Sequence, residues 1–171
     1  MKALFPVDLV ENAEALLAEL KRCGLRLATV ESCTGGLLAG LLTEIAGASA
    51  VVERGFITYS NVAKSEQVGV DPALIDAHGA VSVEVARAMA EGGLTHAPVD
   101  VAVAVTGIAG PDGGSAQKPV GLVYLAVASK LGPTLTRECR FGSIGRAQIR
   151  LASVSAAIEL ARRAVSAEGR H

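Results

Sequence analysis

Apolar residues recur at Leu9, Ala13, Leu16, Leu17 and Leu20, the three-and-four spacing of a single helix face. Asp8 followed by Glu11 reads as a capping box for that helix, and Gly24 as its stop. A short β-branched run at 27–30 predicts a strand, and residues 34–45 predict a helix that opens on Gly35-Gly36 and closes near Gly47. The pattern continues with a strand at 55–59, a short helix at 61–68, a helical turn beginning at Asp71-Pro72, and a longer helix capped by Ser82 and running to about His96. Residues 101–105 are an unbroken Val/Ala run, the signature of a strand buried on both faces. After the loop GIAGPDGGSAQKP come strands at 120–129 and 134–141, joined near Gly132-Pro133. So short a link requires an antiparallel pair. A last helix is predicted from Arg146 to Val165, with a frayed tail behind it.

Helices and strands alternate, so the predicted class is α/β: a three-layer α/β/α sandwich around a mixed, mostly parallel sheet. The 171 residues suit one domain across 1–171, with a core at about 8–165. Composition sharpens this picture. Half of the residues are hydrophobic but only 3% are aromatic, so the core must be built from Ala, Val, Leu and Ile. Small side chains of that kind allow helices to lie close on a sheet.

Charge excludes several functions. A formal net charge of -1 with no Lys/Arg run argues against nucleic acid as a partner, and few aromatics are present to stack on bases. Apolar stretches stop well short of membrane-spanning length, and the start lacks a signal-peptide pattern. A cytoplasmic protein with no membrane partner is expected. Cys23, Cys33 and Cys139 have no metal-type spacing, and His78, His96 and His171 are scattered, so neither a metal nor another cofactor is expected.

Two strands leave the same kind of loop behind them. Residues 27–30 run into Ser32, Cys33, Thr34, Gly35 and Gly36; residues 101–105 run into Thr106, Gly107, Ile108, Ala109 and Gly110. If the strands are parallel, both loops sit at their carboxyl ends, where open α/β sheets place ligands. Neither loop fits G-x-G-x-x-G or a P-loop, and Ser32 is not in a G-x-S-x-G elbow. Ser32 stands at a strand-to-helix turn beside the amides of Cys33 to Gly36, which read as helix-start donors for an anion. A serine nucleophile needs a base. No histidine is suitably placed, so Lys64 or Tyr59 of FITYSNVAKSE is the candidate. A lysine serves only if burial or a neighbouring cation lowers its pKa. Taken singly, each of these residues is better read as a cap, a turn former or a solvated surface lysine.

Together the segments ESCTGG, ERGFITYSNVAK, HGAVS, VAVTGIAGPDGGSAQKPVGLV and FGSIGRAQIR resemble the CinA carboxy-terminal domain family, over about residues 8–165. That family includes stand-alone nicotinamide-nucleotide amidohydrolases. The resemblance implies a three-layer fold, no metal, and deamidation of nicotinamide mononucleotide to nicotinate mononucleotide and ammonia in pyridine nucleotide salvage. It places a Ser–Tyr–Lys set on Ser32, Tyr59 and Lys64. Some members carry a larger amino-terminal domain, for which this chain has no room. Gln117 stands where an acid is common, and Ser143-Ile144-Gly145 where Gly-Asp is common.

On that basis the amides at Cys33 and Thr34 are expected to hold the oxyanion, helped by the Thr106–Gly107 edge. The substrate's phosphate has three candidate donors: the amides from Gly110 to Gly113 and Gly114, Lys118, and the pair Arg146 and Arg150, of which Arg146 is preferred. Thr106 and Ala109 are expected against the base or ribose. A small-molecule nucleotide is the expected partner, and a homo-oligomer, with a dimer favoured, the expected assembly. Two rivals remain: a non-catalytic nucleotide- or partner-binding module, and an amidase for another carboxamide or lactam.

Overall fold

The computed structural model describes residues 4–168. Its strands are β1 (Leu27–Glu31), β2 (Val52–Ile57), β3 (Val101–Gly107), β4 (Leu122–Ser129) and β5 (Gly132–Arg140), forming one sheet in the order β2-β1-β3-β4-β5. β1 pairs in parallel with β2 and β3, whereas β4 pairs antiparallel with both β3 and β5. Only β4 therefore runs against the other strands, which gives the mixed α/β sandwich predicted from the alternation of elements.

The helices are α1 (Val7–Arg22), α2 (Leu37–Glu44), α3 (Asn61–Val68), α4 (Pro72–His78), α5 (Val83–His96) and α6 (Arg146–Glu168). Among the described residues none is long and apolar enough to cross a membrane. The pleat of β3 explains how they are layered. Val101, Val103 and Val105 face the core built with α1, α2 and α6, while Ala104 belongs to the opposite core, built with α3, α4 and α5. β4 repeats the division, with Val123, Leu125 and Val127 on one side and Ala126 and Ala128 on the other. Alanine on the second face lets α5 approach closely. A Cβ at Gly93 would lie 2.5 Å from Val30 Cγ2, and one at Gly92 would lie 2.0 Å from Val68 O. Two helical glycines cost roughly 1 kcal/mol each, and here they admit the close packing.

Some boundaries differ from expectation. α1 begins after Pro6 with no side-chain cap, so Asp8 lies inside the first turn and no capping box forms. α2 starts at Leu37 and not at residue 34, because Glu31 caps it from the end of β1. β2 is displaced toward the amino terminus and stops before Tyr59. Gly132 and Pro133 lie within β5, so the hairpin turns just before them. α6 continues past Val165 to Glu168; the rest of the expected frayed tail lies outside the described residues.

Candidate active site

β1 and β3 are parallel neighbours, so both glycine-rich loops leave the same edge of the sheet. Ser32 N donates to Val105 O at 2.9 Å, which ties the serine to the end of β3. The chain then turns tightly: Gly35 N donates to Ser32 O and Leu37 N to Thr34 O, each at 3.0 Å. The positive φ of Gly36, +97°, makes the last step of this turn and would strain any larger residue.

Lys64 approaches Ser32 from the far side of β1. Ser60 caps α3 by accepting from Ala63 N at 3.0 Å, which places Lys64 in the first turns of that helix. The lysine is only 1% exposed. Its Nζ lies 3.1 Å from Ser32 Oγ and donates to Thr58 O at 2.9 Å. Burial holds its pKa below the ordinary lysine value, against a smaller opposing influence from Cys33. No carboxylate pairs with Lys64 among the ion pairs of the described residues. A neutral amine in this position accepts the Ser32 hydroxyl proton while still donating to Thr58 O. That is the geometry of a base on a nucleophile.

A pocket of about 270 Å³ opens above this pair. Ser32, Cys33 and Lys64 form its floor, and Thr106, Gly107, Ala109, Gly110 and Gly113 one wall, with Tyr59 and Arg146 also lining it. Thr106 is buried and donates its hydroxyl to Ala80 O at 2.8 Å, so its side chain braces the wall. Gly107 is required by close packing: a Cβ there would lie 2.6 Å from Val123 Cγ2. Tyr59 is 60% exposed, and its hydroxyl accepts from Arg146 Nη2 at 3.2 Å. Arg146 Nη1 also donates to Gly110 O at 2.7 Å, joining the two walls.

Other expected residues lie elsewhere. Thr34 is fully buried behind the turn, and its Oγ1 has no partner. Gly35 and Gly36 do not line the pocket, and their amides are engaged, Gly35 with Ser32 O and Gly36 with Glu31. The expectation of free helix-start donors from Cys33 to Gly36 is therefore corrected for these two. Glu31 is responsible. Its buried carboxylate accepts from Gly36 N, Leu38 N and Ala39 N at 2.9–3.1 Å. Lys118 turns away from the pocket and donates to His78 O at 2.6 Å, while Gly114 packs against Val120. Arg150 does not face the pocket with Arg146; it donates to the backbone of the Ser32 turn. Cys33 is a poor nucleophile, because burial pushes its thiol up to about 11.

Sequence reasoning missed Asn61, Ala80, Val81, Ile108 and Asp112 on the pocket lining. HGAVS was in view as a motif, but nothing local shows that it folds over the site. Asn61 at the first position of α3, two residues after Tyr59, was the most accessible signal.

Comparisons with known proteins agree with this architecture. The profile of the CinA C-terminal domain matches residues 10–165. A CinA-like protein of Mycolicibacterium vanbaalenii is 51% identical over 90% of this chain and 36% of its own length, and one from Mycobacterium marinum is 53% identical over 82% and 33%. The chain thus spans about a third of the length of these curated relatives. A crystal structure of a competence/damage inducible protein from Agrobacterium tumefaciens superposes with a TM-score of 0.93 at 52% identity, covering 96% of this chain and 99% of that one. A CinA superfamily protein from Klebsiella pneumoniae superposes with a TM-score of 0.87 at 32% identity, covering 92% and 98%.

Proposed function

The chain belongs to the CinA C-terminal domain family, and from that premise we propose that it is a nicotinamide-nucleotide amidohydrolase, converting nicotinamide mononucleotide to nicotinate mononucleotide and ammonia in pyridine nucleotide salvage. The observation that carries the reading is the buried Lys64 amine 3.1 Å from Ser32 Oγ beneath an open pocket. An amine kept dry and unpaired costs stability, and its neutral form is the one that serves a nucleophile.

The steps follow from that contact. Lys64 takes the Ser32 proton as Oγ attacks the carboxamide carbon, and the carbonyl electron pair moves onto oxygen. The Cys33 amide, beside the nucleophile, faces the resulting oxyanion. The tetrahedral centre collapses, the C–N bond breaks, and ammonia departs with the proton from Lys64. Water, deprotonated by the same amine, attacks the acyl-enzyme, releases the carboxylate and restores Ser32. The direct Lys64–Ser32 contact supplies a proton path that needs no relay through Tyr59. Tyr59 and Arg146 instead frame the pocket mouth, where Arg146 is the cation available to the phosphate.

The test is ammonia release from nicotinamide mononucleotide by wild type and Ser32→Ala side by side, without added metal. Release by the wild type alone supports the reading. No release by either folded protein overturns it in favour of a binding module. Release only from other amides in a small carboxamide and lactam panel reassigns the substrate.

A further inference from the structure

Arg146 and Arg150 lie one turn apart on α6, yet they do different things. Arg150 Nε donates to Cys33 O at 3.2 Å and its Nη2 to Thr34 O at 2.9 Å. Both acceptors belong to the turn that carries Ser32, more than a hundred residues away in sequence. On the other side of the turn the Glu31 carboxylate takes the amides of Gly36, Leu38 and Ala39. A cation thus grips the carbonyls that follow Ser32, and an anion grips the amides beyond them. An ordinary strand-to-helix turn needs only one cap.

The consequence lies in peptide geometry. A trans peptide carries its C=O and N–H on opposite sides. Ser32 O is turned inward to Gly35 N, so the Cys33 N–H is turned outward, and Cys33 lines the pocket. The next two carbonyls are those fixed by Arg150, so the backbone on both sides of Cys33 is fixed. Gly35 has φ +57°, and a Cβ on it would lie 3.7 Å from Arg150 Nη2, so the guanidinium lies directly against the turn.

We propose that Arg150 is a positioning residue for acyl transfer: its two-pronged bond to Cys33 O and Thr34 O holds the Ser32 hydroxyl and the Cys33 amide in the arrangement the transition state requires, without touching substrate. The inference rests on the reading of Ser32 as nucleophile. Two prongs are essential, because a lysine keeps the charge but offers no rigid fork to span two carbonyls.

Arg150→Gln and Arg150→Lys test it. Arg150→Gln is expected to lower kcat about 100-fold with KM for nicotinamide mononucleotide unchanged, and Arg150→Lys to fall between it and wild type. The rate at which a fluorophosphonate labels Ser32, followed by mass spectrometry, falls in the same order and needs no substrate. Labelling separates the two readings: a wild type that is labelled but releases no ammonia removes the amidohydrolase assignment, and the labelling order still decides Arg150. Unchanged kcat and labelling in both variants overturn the proposal. So does a raised KM with kcat kept, which makes Arg150 a substrate-binding group. A wild type neither active nor labelled removes both readings. If Arg150→Gln fails to fold by circular dichroism, Arg150→Lys decides: full kcat overturns the proposal, and lowered kcat at constant KM supports it.

Discussion

After β1 the chain turns through residues 32–36 and enters α2; after β3 it runs through residues 108–121 before β4 begins. Both stretches are rich in glycine and leave neighbouring strands at the same sheet edge. The first is gripped from outside by Glu31 and Arg150. The second exposes residues 111–117 and is held at intervals, by Arg146 on Gly110 O and by the Gly121 amide on Ile108 O. The contrast teaches a division of labour. A reacting atom tolerates little displacement, so its loop is fixed by charged side chains on both sides. A wall that contacts the rest of a ligand has room to adjust, so contacts at intervals suffice.

Four experiments probe that division, beginning with the largest effect. Ser32→Ala, in the gripped loop, is expected to lower kcat about 10⁴-fold or more while leaving the melting temperature nearly unchanged, as measured by ammonia release and calorimetry. Lys64→Met is expected to lower kcat about 10²–10⁴-fold. It also removes the rising limb of the wild-type pH–rate profile, where the buried amine loses its proton below the ordinary lysine range. Stability carries the same sign. Between the depressed folded pKa and the unfolded value, the unfolded chain binds a proton that the folded chain lacks. Wild-type stability therefore rises with pH across that window and stops rising above the unfolded value. Urea midpoints measured against pH should show this slope in wild type and a flatter curve in Lys64→Met.

Arg146→Gln acts on the open loop. Losing the bonds to Gly110 O and Tyr59 Oη should raise KM about tenfold with a smaller change in kcat. A kcat loss as large as that of Lys64→Met would erase the contrast between the loops. The smallest effect is expected from alkylation. Iodoacetamide should modify exposed Cys23 and spare Cys33, whose thiol stays protonated in its buried site, with activity kept. Peptide mapping reads the outcome, and rapid modification of Cys33 would show that the gripped loop opens.

What sequence revealed, and what it concealed, follows from the range of the interactions. The Val/Ala run of β3, the helix starts at Asp71 and Ser82, and the paired strand exits are set by neighbouring residues and were legible. The start of α2 was not, because its cap is an acid five to eight residues upstream in a strand, outside any local capping rule. The burial of Lys64 depends on how α3 packs beside β1, and a lysine read alone belongs on the surface. Arg146 and Arg150 share a helical spacing, which assigned them one role. The turn of the side chains toward different partners is a tertiary fact.

The register of the central pair has a kinetic meaning. Leu27 sits opposite Val101, so β1 and β3 can zip together only after the intervening chain, with four α-helices and β2, has been gathered in. The β4–β5 hairpin closes across a two-residue link and can form early. Contacts between distant stretches form slowly, because loop closure must precede the contacts that reward it. Ser32 and the wall at Thr106 stand on either side of this late seam. Recovery of turnover during refolding should therefore track the slowest structural phase, which makes activity a gauge of complete folding.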